Sequence, residues 1–285
     1  SNLFILLDRI LEISNINVDY YYYQYNIFDN IFKTGNINFI QNLLDMKNFN
    51  INISSPTDRN TLLIDAIESN SFEIAEILIN NRQINIKNET ALVSAVKLKQ
   101  YKIIDLLINN VKFEPEESLL NYAFYIADYQ TSKLLSNLKS LDVNFTIYNY
   151  TTNIYYVKPK QKEFLFETTL MSAVQNNDIE KVDLIIHHSS FDKNRSSYQE
   201  AIYISIKNNF YEIFKTLLHL LDNINYYDYN NHPILSLAAK YHNNEMIKEI
   251  FQFKNFNPKK ADFLNSFIEL FKLTKESYEM MNMMI

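Results

Sequence analysis

The sequence lacks cysteine and tryptophan, and it contains a single glycine, Gly35, among its 285 residues. One glycine cannot supply the glycine-rich loops that cradle phosphates, so the common nucleotide-binding motifs are excluded. Without cysteine there is no disulfide, no thiolate nucleophile and no cysteine-ligated zinc, and the redox compartment stays undetermined. No apolar run approaches the roughly 18 residues that a membrane-spanning helix requires, so we expect no membrane insertion.

The charged and polar residues exclude further classes of function. A formal net charge of -6 argues against nucleic acid as the main partner, because neutralising phosphates requires a basic surface. Five histidines show no metal-ligand spacing: His187, His188, His219, His232 and His242. No serine lies in a G-x-S-x-G motif, and the carboxylates recur on polar helix faces that are typical of solvated surfaces. We therefore expect no catalytic site, no cofactor and no metal, and no enzymatic activity within these residues.

What the sequence does contain is one unit that occurs seven times. Each copy has a residue, small in all but the first, that we call its anchor: Ile31, Ala66, Ala95, Ala123, Ala173, Ser205 and Ala238. Twelve residues after the anchors stand seven aliphatic residues: Leu43, Leu78, Leu107, Leu135, Ile185, Leu217 and Ile250. Six residues after the anchors stand aromatic residues or isoleucine, with one polar exception, Asn244. These residues are Ile37, Phe72, Tyr101, Tyr129, Ile179, Tyr211 and Asn244. Chance does not give seven aliphatic matches from seven in a chain that is 47% hydrophobic.

The spacing within the unit predicts a helix, a break and a second helix. Thr61, Thr90 and Thr168 lie five residues before an anchor, where a hydroxyl can cap the start of the first helix. A small anchor allows a neighbouring helix to approach closely. The first helix is predicted to end at residues that tolerate the left-handed conformation: Gly35, Asn70, Asn177 and Asn209. Neither helix buries its apolar face alone, so we expect the units to stack.

This pattern resembles the ankyrin repeat, whose 33-residue unit opens with T-P-L-H-x-A. The distance from Ser205 to Ala238 is 33 residues, and 228–235 (D-Y-N-N-H-P-I-L) resembles the family's D-x-x-G-x-T-P-L entry into the first helix. Gly35 falls where the family has its mid-repeat glycine. No copy keeps the family's histidine, and the anchor spacing is only 29 residues at 66–95 but 50 at 123–173. The chain is similar to the divergent, glycine-poor ankyrin arrays of AT-rich protists and large viruses.

The resemblance implies an all-α fold, an ankyrin-type helix-turn-helix solenoid with short or irregular β-hairpin fingers. We expect a single array over residues 1–285, with an N-terminal cap or partial repeat at 1–25 and a C-terminal cap at 262–285. The predicted repeats are about 26–59, 60–88, 89–117, 118–166, 167–197, 198–231 and 232–261, the fourth carrying a long hairpin insertion at 140–166.

The resemblance also implies a protein partner, held against the concave face and the finger loops by a monomeric adaptor, scaffold or effector arm. A second hypothesis is the recognition arm of a multidomain enzyme whose catalytic domain lies outside these residues. A third is an anchor for membrane-protein tails or acidic lipid head groups. We expect a cytoplasmic protein, with a secreted effector as the alternative.

Three groups of residues are candidates for partner contact. Two residues after each anchor a side chain should face the groove, and four lysines among the seven favour an acidic partner, unless they are ordinary exposed helix positions. These groove residues are Lys33, Glu68, Lys97, Tyr125, Gln175, Lys207 and Lys240. The finger before the last repeat carries Tyr226, Tyr227, Tyr229 and His232, which are either contact residues or a consequence of 21 tyrosines in the chain.

The insertion at 140–166 is predicted to form a β-hairpin. Its strands would be 145–150 and 154–157, joined by a polar tip at 151–153. Such a hairpin would present Tyr148 and Tyr150 to a partner. The alternative is an insertion that lies flat and covers a misfit between repeats.

Overall fold

A computed structural model describes residues 32, 35–46, 49–52, 61–86, 90–148, 166–224 and 233–257. The chain divides into two compact units, Ser1–Leu141 and Asp142–Ile285. The described part of the first unit contains seven helices: α1 (Ile37–Asp45), α2 (Leu62–Glu68), α3 (Phe72–Asn80), α4 (Ala91–Lys97), α5 (Tyr101–Ile108), α6 (Glu117–Ile126) and α7 (Tyr129–Leu135). That of the second contains two strands and six helices: β1 (Thr146–Tyr148), β2 (Phe166–Thr168), α8 (Thr169–Gln175), α9 (Ile179–Ile186), α10 (Tyr198–Lys207), α11 (Tyr211–Leu218), α12 (Ile234–Lys240) and α13 (Asn244–Gln252).

Within each unit the helices pack as two layers. In the first unit the first helices of successive repeats pack on one another (α2 on α4, α4 on α6), and so do the second helices (α1, α3, α5 and α7 in order). The second unit repeats this arrangement with α8, α10 and α12 in one layer and α9, α11 and α13 in the other. The predicted helix-turn-helix stacking is confirmed in each unit, whereas the single array over the whole chain stays a prediction.

The described anchors lie in the buried core of each unit. All six anchors from Ala66 onward are buried, none of them more than 2% exposed. The seven aliphatic residues twelve positions later are each at most 1% exposed. The residues six positions after the anchors instead begin the second helices and lie nearer the surface, as Ile179 does at 38% exposure. The anchor spacing therefore identifies the core correctly.

The first helix ends as predicted in four of the seven repeats with a described break. Gly35, Asn70, Asn177 and Asn209 are left-handed, with φ between 54° and 63°. After Ala66 the turn is closed by two bonds: the Asn70 amide donates to the Ile67 carbonyl, and the Ser71 amide donates to the Ala66 carbonyl (3.0 and 2.9 Å). This is the Schellman arrangement, which satisfies carbonyl groups left over at a helix end.

Two left-handed breaks and one extended break were not predicted. Lys99 and His242 occupy the same position of the repeat with φ of 55° and 61°. In the fourth repeat Ala127 stands there instead, with φ -68° and ψ 146°, so α6 ends in extended backbone. The break is therefore set by position within the unit, and the residue type only modulates it.

The threonine caps are confirmed at two of three sites. The hydroxyl of Thr61 accepts from the Ile64 amide (3.4 Å), and that of Thr168 accepts from the Met171 amide (3.2 Å). Thr90 makes no such bond, and its ψ of 6° is far from the extended backbone that a capping hydroxyl requires. The capping prediction was wrong at Thr90.

The described part of the insertion shows a strand pairing that was not predicted, while the predicted pairing of 145–150 with 154–157 stays a prediction. Strand β1 lies within the predicted 145–150 strand, but its antiparallel partner is β2, with Thr146 opposite Thr168 and Tyr148 opposite Phe166. The Thr169 amide extends the contact by donating to the Phe145 carbonyl (3.0 Å). Because β2 runs directly into α8, the start of the next repeat selects the partner strand. The predicted second strand at 154–157 lies outside the described residues.

Candidate functional site

The described groove residues occupy the last turns of the first helices. Glu68, Lys97, Gln175, Lys207 and Lys240 are exposed, and Tyr125 is half-buried. In the second unit, α8 packs on α10 and α10 on α12. Gln175, Lys207 and Lys240 therefore hold equivalent positions on three neighbouring helices, and we call these three side chains the lysine row.

The two ammonium groups of the lysine row lie over tyrosine rings. Lys207 Nζ is 5.9 Å from the ring centre of Tyr203, and Lys240 Nζ is 5.6 Å from that of Tyr241. A cation over a ring face is attracted by the electron density of that face, although at an exposed site the gain is about 0.5–1 kcal/mol. These contacts restrain the two side chains, which remain exposed.

The corresponding positions of the first unit have mixed chemistry. Glu68 Oε1 accepts from the Ser94 hydroxyl on the next first helix (3.4 Å). Lys97 is exposed, and the ring of Tyr125 stacks on that of Tyr122 at 6.3 Å. An acid, a base and an aromatic residue do not favour a partner of one charge.

The predicted finger contacts fall largely outside the described residues. Tyr226, Tyr227, Tyr229, His232 and Tyr150 lie there, and so does Lys33. The backbone of Tyr148 is in β1. Their role as partner contacts stays a prediction.

Side chains just after three of the breaks tie one repeat to the preceding one. In these three repeats the residue five positions after the anchor donates to the carbonyl that follows the preceding anchor. Ser71 Oγ reaches the Phe32 carbonyl (2.6 Å). Gln100 Nε2 reaches that of Ile67 (2.7 Å), and Asn243 Nδ2 donates to that of Ile206. These bonds satisfy carbonyls in the same last turns that carry the groove residues, so they position that surface.

Asparagine side chains hold neighbouring loops together. The side-chain Nδ2 of Asn52 donates to the Gln83 carbonyl (2.9 Å), and its Oδ1 accepts from the backbone amide of Asn85 (2.7 Å). Asn144 repeats this with the Ser190 carbonyl and the Asp192 amide. These paired bonds were not predictable from the sequence, because asparagine is abundant in it and the few that bridge repeats do not stand out.

Ion pairs and tyrosine–carboxylate bonds add long-range links within the units. Partial burial alone would raise the pKa of Asp142, but hydrogen bonds from Asn144 and the ion pair with Arg195 outweigh it and hold that pKa below its usual range. The Tyr211 hydroxyl donates to Glu249 Oε1 (2.5 Å), and this bond is the largest cause that raises the pKa of Tyr211 to about 12. These groups link neighbouring loops and second helices, away from the lysine row.

Two kinds of feature are absent from the part of the chain that the structure describes. There, no helix combines the length and apolar character needed to cross a bilayer. Within the same residues, no three His, Asp or Glu side chains are grouped so that they could hold a metal ion.

Comparisons with known proteins identify the family. No curated protein matches the chain. A solved complex of a predatory endopeptidase from Bdellovibrio bacteriovorus with an immunity protein shares 15% identity at a TM-score of 0.36, over 80% of this chain and 97% of that one. A likeness this distant carries no argument about fold or function. The family profile described as ankyrin repeats, with three copies, matches residues 30–118 and 170–262, which is more than half of the chain. Ankyrin repeats are generally protein–protein interaction modules and are typically non-catalytic, and the chain belongs to this family.

Proposed function

We propose that this protein is an adaptor, scaffold or effector arm that binds a partner protein across the last turns of its first helices. The lysine row of the second unit would contact an acidic segment of the partner. The observation that carries the proposal is the position of Lys207 and Lys240, exposed at equivalent sites on the packed helices α10 and α12.

The lysine row would mainly orient the partner and raise the rate at which it associates. An exposed ion pair is worth about 0–1 kcal/mol, because water and salt screen the charges. Two aligned cations nevertheless attract an acidic surface at a distance and disfavour a basic one. The larger part of the binding energy would then come from apolar and aromatic contacts, and Tyr226, Tyr227 and Tyr229 in the adjacent finger are the proposed source.

Comparative affinity capture tests the proposal. The protein and its variants are immobilised, and the proteins that they retain from the source cells are quantified at low and at moderate salt. The double variant Lys207→Glu/Lys240→Glu is expected to lose the partner, with the largest deficit at low salt. The triple variant Tyr226→Ala/Tyr227→Ala/Tyr229→Ala is expected to lose it at both salt concentrations.

A matched control reverses two exposed lysines away from the groove positions. Lys133→Glu/Lys254→Glu changes the net charge by the same amount, with Lys133 on the second helix α7 and Lys254 beyond α13. This control should capture the partner as the unaltered protein does. If the control loses the partner to the same extent, the effect of the lysine reversal comes from net charge and not from the groove positions. If both test variants capture the partner undiminished, the contact lies elsewhere.

A further inference from the structure

Asn144 begins an acceptor sequence for N-linked glycans, yet its side chain is buried. The acceptor sequence N-F-T covers residues 144–146, and the asparagine is 3% exposed. Asn52 and Asn194 begin two other acceptor sequences, and both of these asparagines are exposed. A glycan is bulky and lies on the surface of a folded protein, so at Asn144 it competes with the fold for space. None of these residues belongs to the lysine row, so the site is independent of the proposed function.

The fold uses both polar atoms of the Asn144 side chain. Nδ2 donates to the Ser190 carbonyl and to Asp142 Oδ1 (2.8 Å). Oδ1 accepts from the Asp192 amide (2.9 Å). The Ser190 hydroxyl adds a further bond by accepting from the Val143 amide (3.2 Å). These bonds hold the segment before β1 against the loop that follows α9.

Attachment of a glycan would remove one of these donors. Nδ2 forms a bond to the first sugar carbon of a lipid-diphosphate-linked oligosaccharide, the lipid diphosphate leaves, and Nδ2 loses one of its two protons. The Ser190 carbonyl or the Asp142 carboxylate then loses its donor, and leaving a buried acceptor unpaired is costly. The sugar also needs room that a close-packed site does not have. A glycan on Asn144 is therefore incompatible with the contact between these two segments.

The order of synthesis leaves Asn144 open before the fold can bury it. Ser190 and Asp192 lie 46 and 48 residues after Asn144. Because repeats are completed from the N-terminus during synthesis, the acceptor sequence emerges well before these partners do. A glycosylating compartment would therefore meet Asn144 while its side chain is still accessible.

We propose that a glycan on Asn144 and folding of the second unit exclude each other, so this chain is made and folds where N-linked glycans are not attached. Asn194 would tolerate a glycan, since its side chain is exposed and makes no hydrogen bond with a described residue. Of the two locations that we expected, this favours the cytoplasm over export through a glycosylating compartment.

Expression of the full chain behind a secretory signal peptide in glycosylating eukaryotic cells tests this proposal. Limited proteolysis separates folded from misfolded molecules, and mass spectrometry locates the glycans in each fraction. The glycan on Asn144 is expected in misfolded molecules only. Thr146→Val removes the acceptor sequence and keeps Asn144, so it should raise the folded fraction by at least about fivefold, as expected for restoring one buried hydrogen bond. Asn194→Gln, which removes an exposed acceptor, should leave the folded fraction unchanged.

Three results would overturn the proposal. These are folded molecules that carry the glycan on Asn144, no glycan on Asn144 in either fraction, and a folded fraction that Thr146→Val does not raise. Because Thr146→Val gives up the bond from the Thr146 hydroxyl to the Asn144 carbonyl (3.3 Å), it is also made without the signal peptide, where it should fold as the unaltered chain does. If it fails to fold there, the location of the glycan in the unaltered chain decides alone.

Discussion

Replacing His242 by glycine is expected to stabilise the protein, although it removes a whole side chain. His242 follows α12 in left-handed backbone, with its amide donating to the Ala239 carbonyl (3.1 Å) and the next amide donating to the Ala238 carbonyl (2.9 Å). The imidazole is exposed and makes no hydrogen bond, ion pair or ring contact with a described residue that would be lost.

The expected gain follows from two opposing backbone effects. A β-carbon in left-handed backbone costs about 1–2 kcal/mol. Glycine removes that cost, but it loses about 0.5–1 kcal/mol more conformational entropy on folding. We therefore expect His242→Gly to raise the free energy of unfolding by about 0.5–1 kcal/mol. In a chain of this size the midpoint of thermal unfolding should rise by about 1–4 °C.

Two control variants separate the backbone effect from loss of the imidazole. His242→Ala removes the imidazole and keeps the β-carbon, so its melting temperature should stay close to that of the unaltered protein. Ala127→Gly places the same glycine at the equivalent position of the fourth repeat, where φ is -68° and no strain is relieved. It should destabilise the protein by about 0.5–1 kcal/mol. Calorimetry that finds the same sign for both glycine variants would refute the positional account of the break.

Three further predictions concern the core and the titrating groups. Leu217→Ala, at a side chain with 0% exposure, should cost about 2–5 kcal/mol, measured as a lower urea midpoint. Tyr211→Phe should remove the tyrosine that ionises near pH 12 in an ultraviolet titration. The folded pKa of Tyr211 lies above the unfolded value of about 10. The stabilising effect of Tyr211 is therefore present below pH 10 and is lost as the pH rises through the folded pKa. Asp142 has a folded pKa below its unfolded value, so its contribution is present above about pH 4 and is lost as the pH falls through the folded pKa; Asp142→Asn should make the acid dependence of stability less steep.

The repeat core was predictable because steric crowding between helices restricts the anchor positions to small residues, and these recur at a regular position in the sequence. Where two helices approach closely only a small side chain fits, so Ala66 and its equivalents stand out by size. The left-handed breaks were found at Gly35 and at asparagine because those residue types tolerate this conformation. Lys99 and His242 were missed because their residue types give no such signal. Counting four residues from the anchor would have found both.

Contacts between loops were not predictable from local patterns. The alternation at 145–150 correctly indicated a strand, but its partner β2 is set by where α8 begins. The paired bonds of Asn52 and Asn144 likewise depend on loops of two successive repeats lying side by side. No single repeat contains that information.

Cysteine reactivity tests the stacked repeats most directly, because the chain has no cysteine of its own. Single variants at the anchors (Ala66→Cys, Ala95→Cys and Ala173→Cys) are compared with variants two residues later (Glu68→Cys, Lys97→Cys and Gln175→Cys). The anchor thiols should react with an aqueous thiol reagent at least about a hundredfold more slowly than their neighbours under native conditions, and equally fast in denaturant. Anchor thiols that react as fast as their exposed neighbours in the folded protein would contradict the stacked-repeat structure.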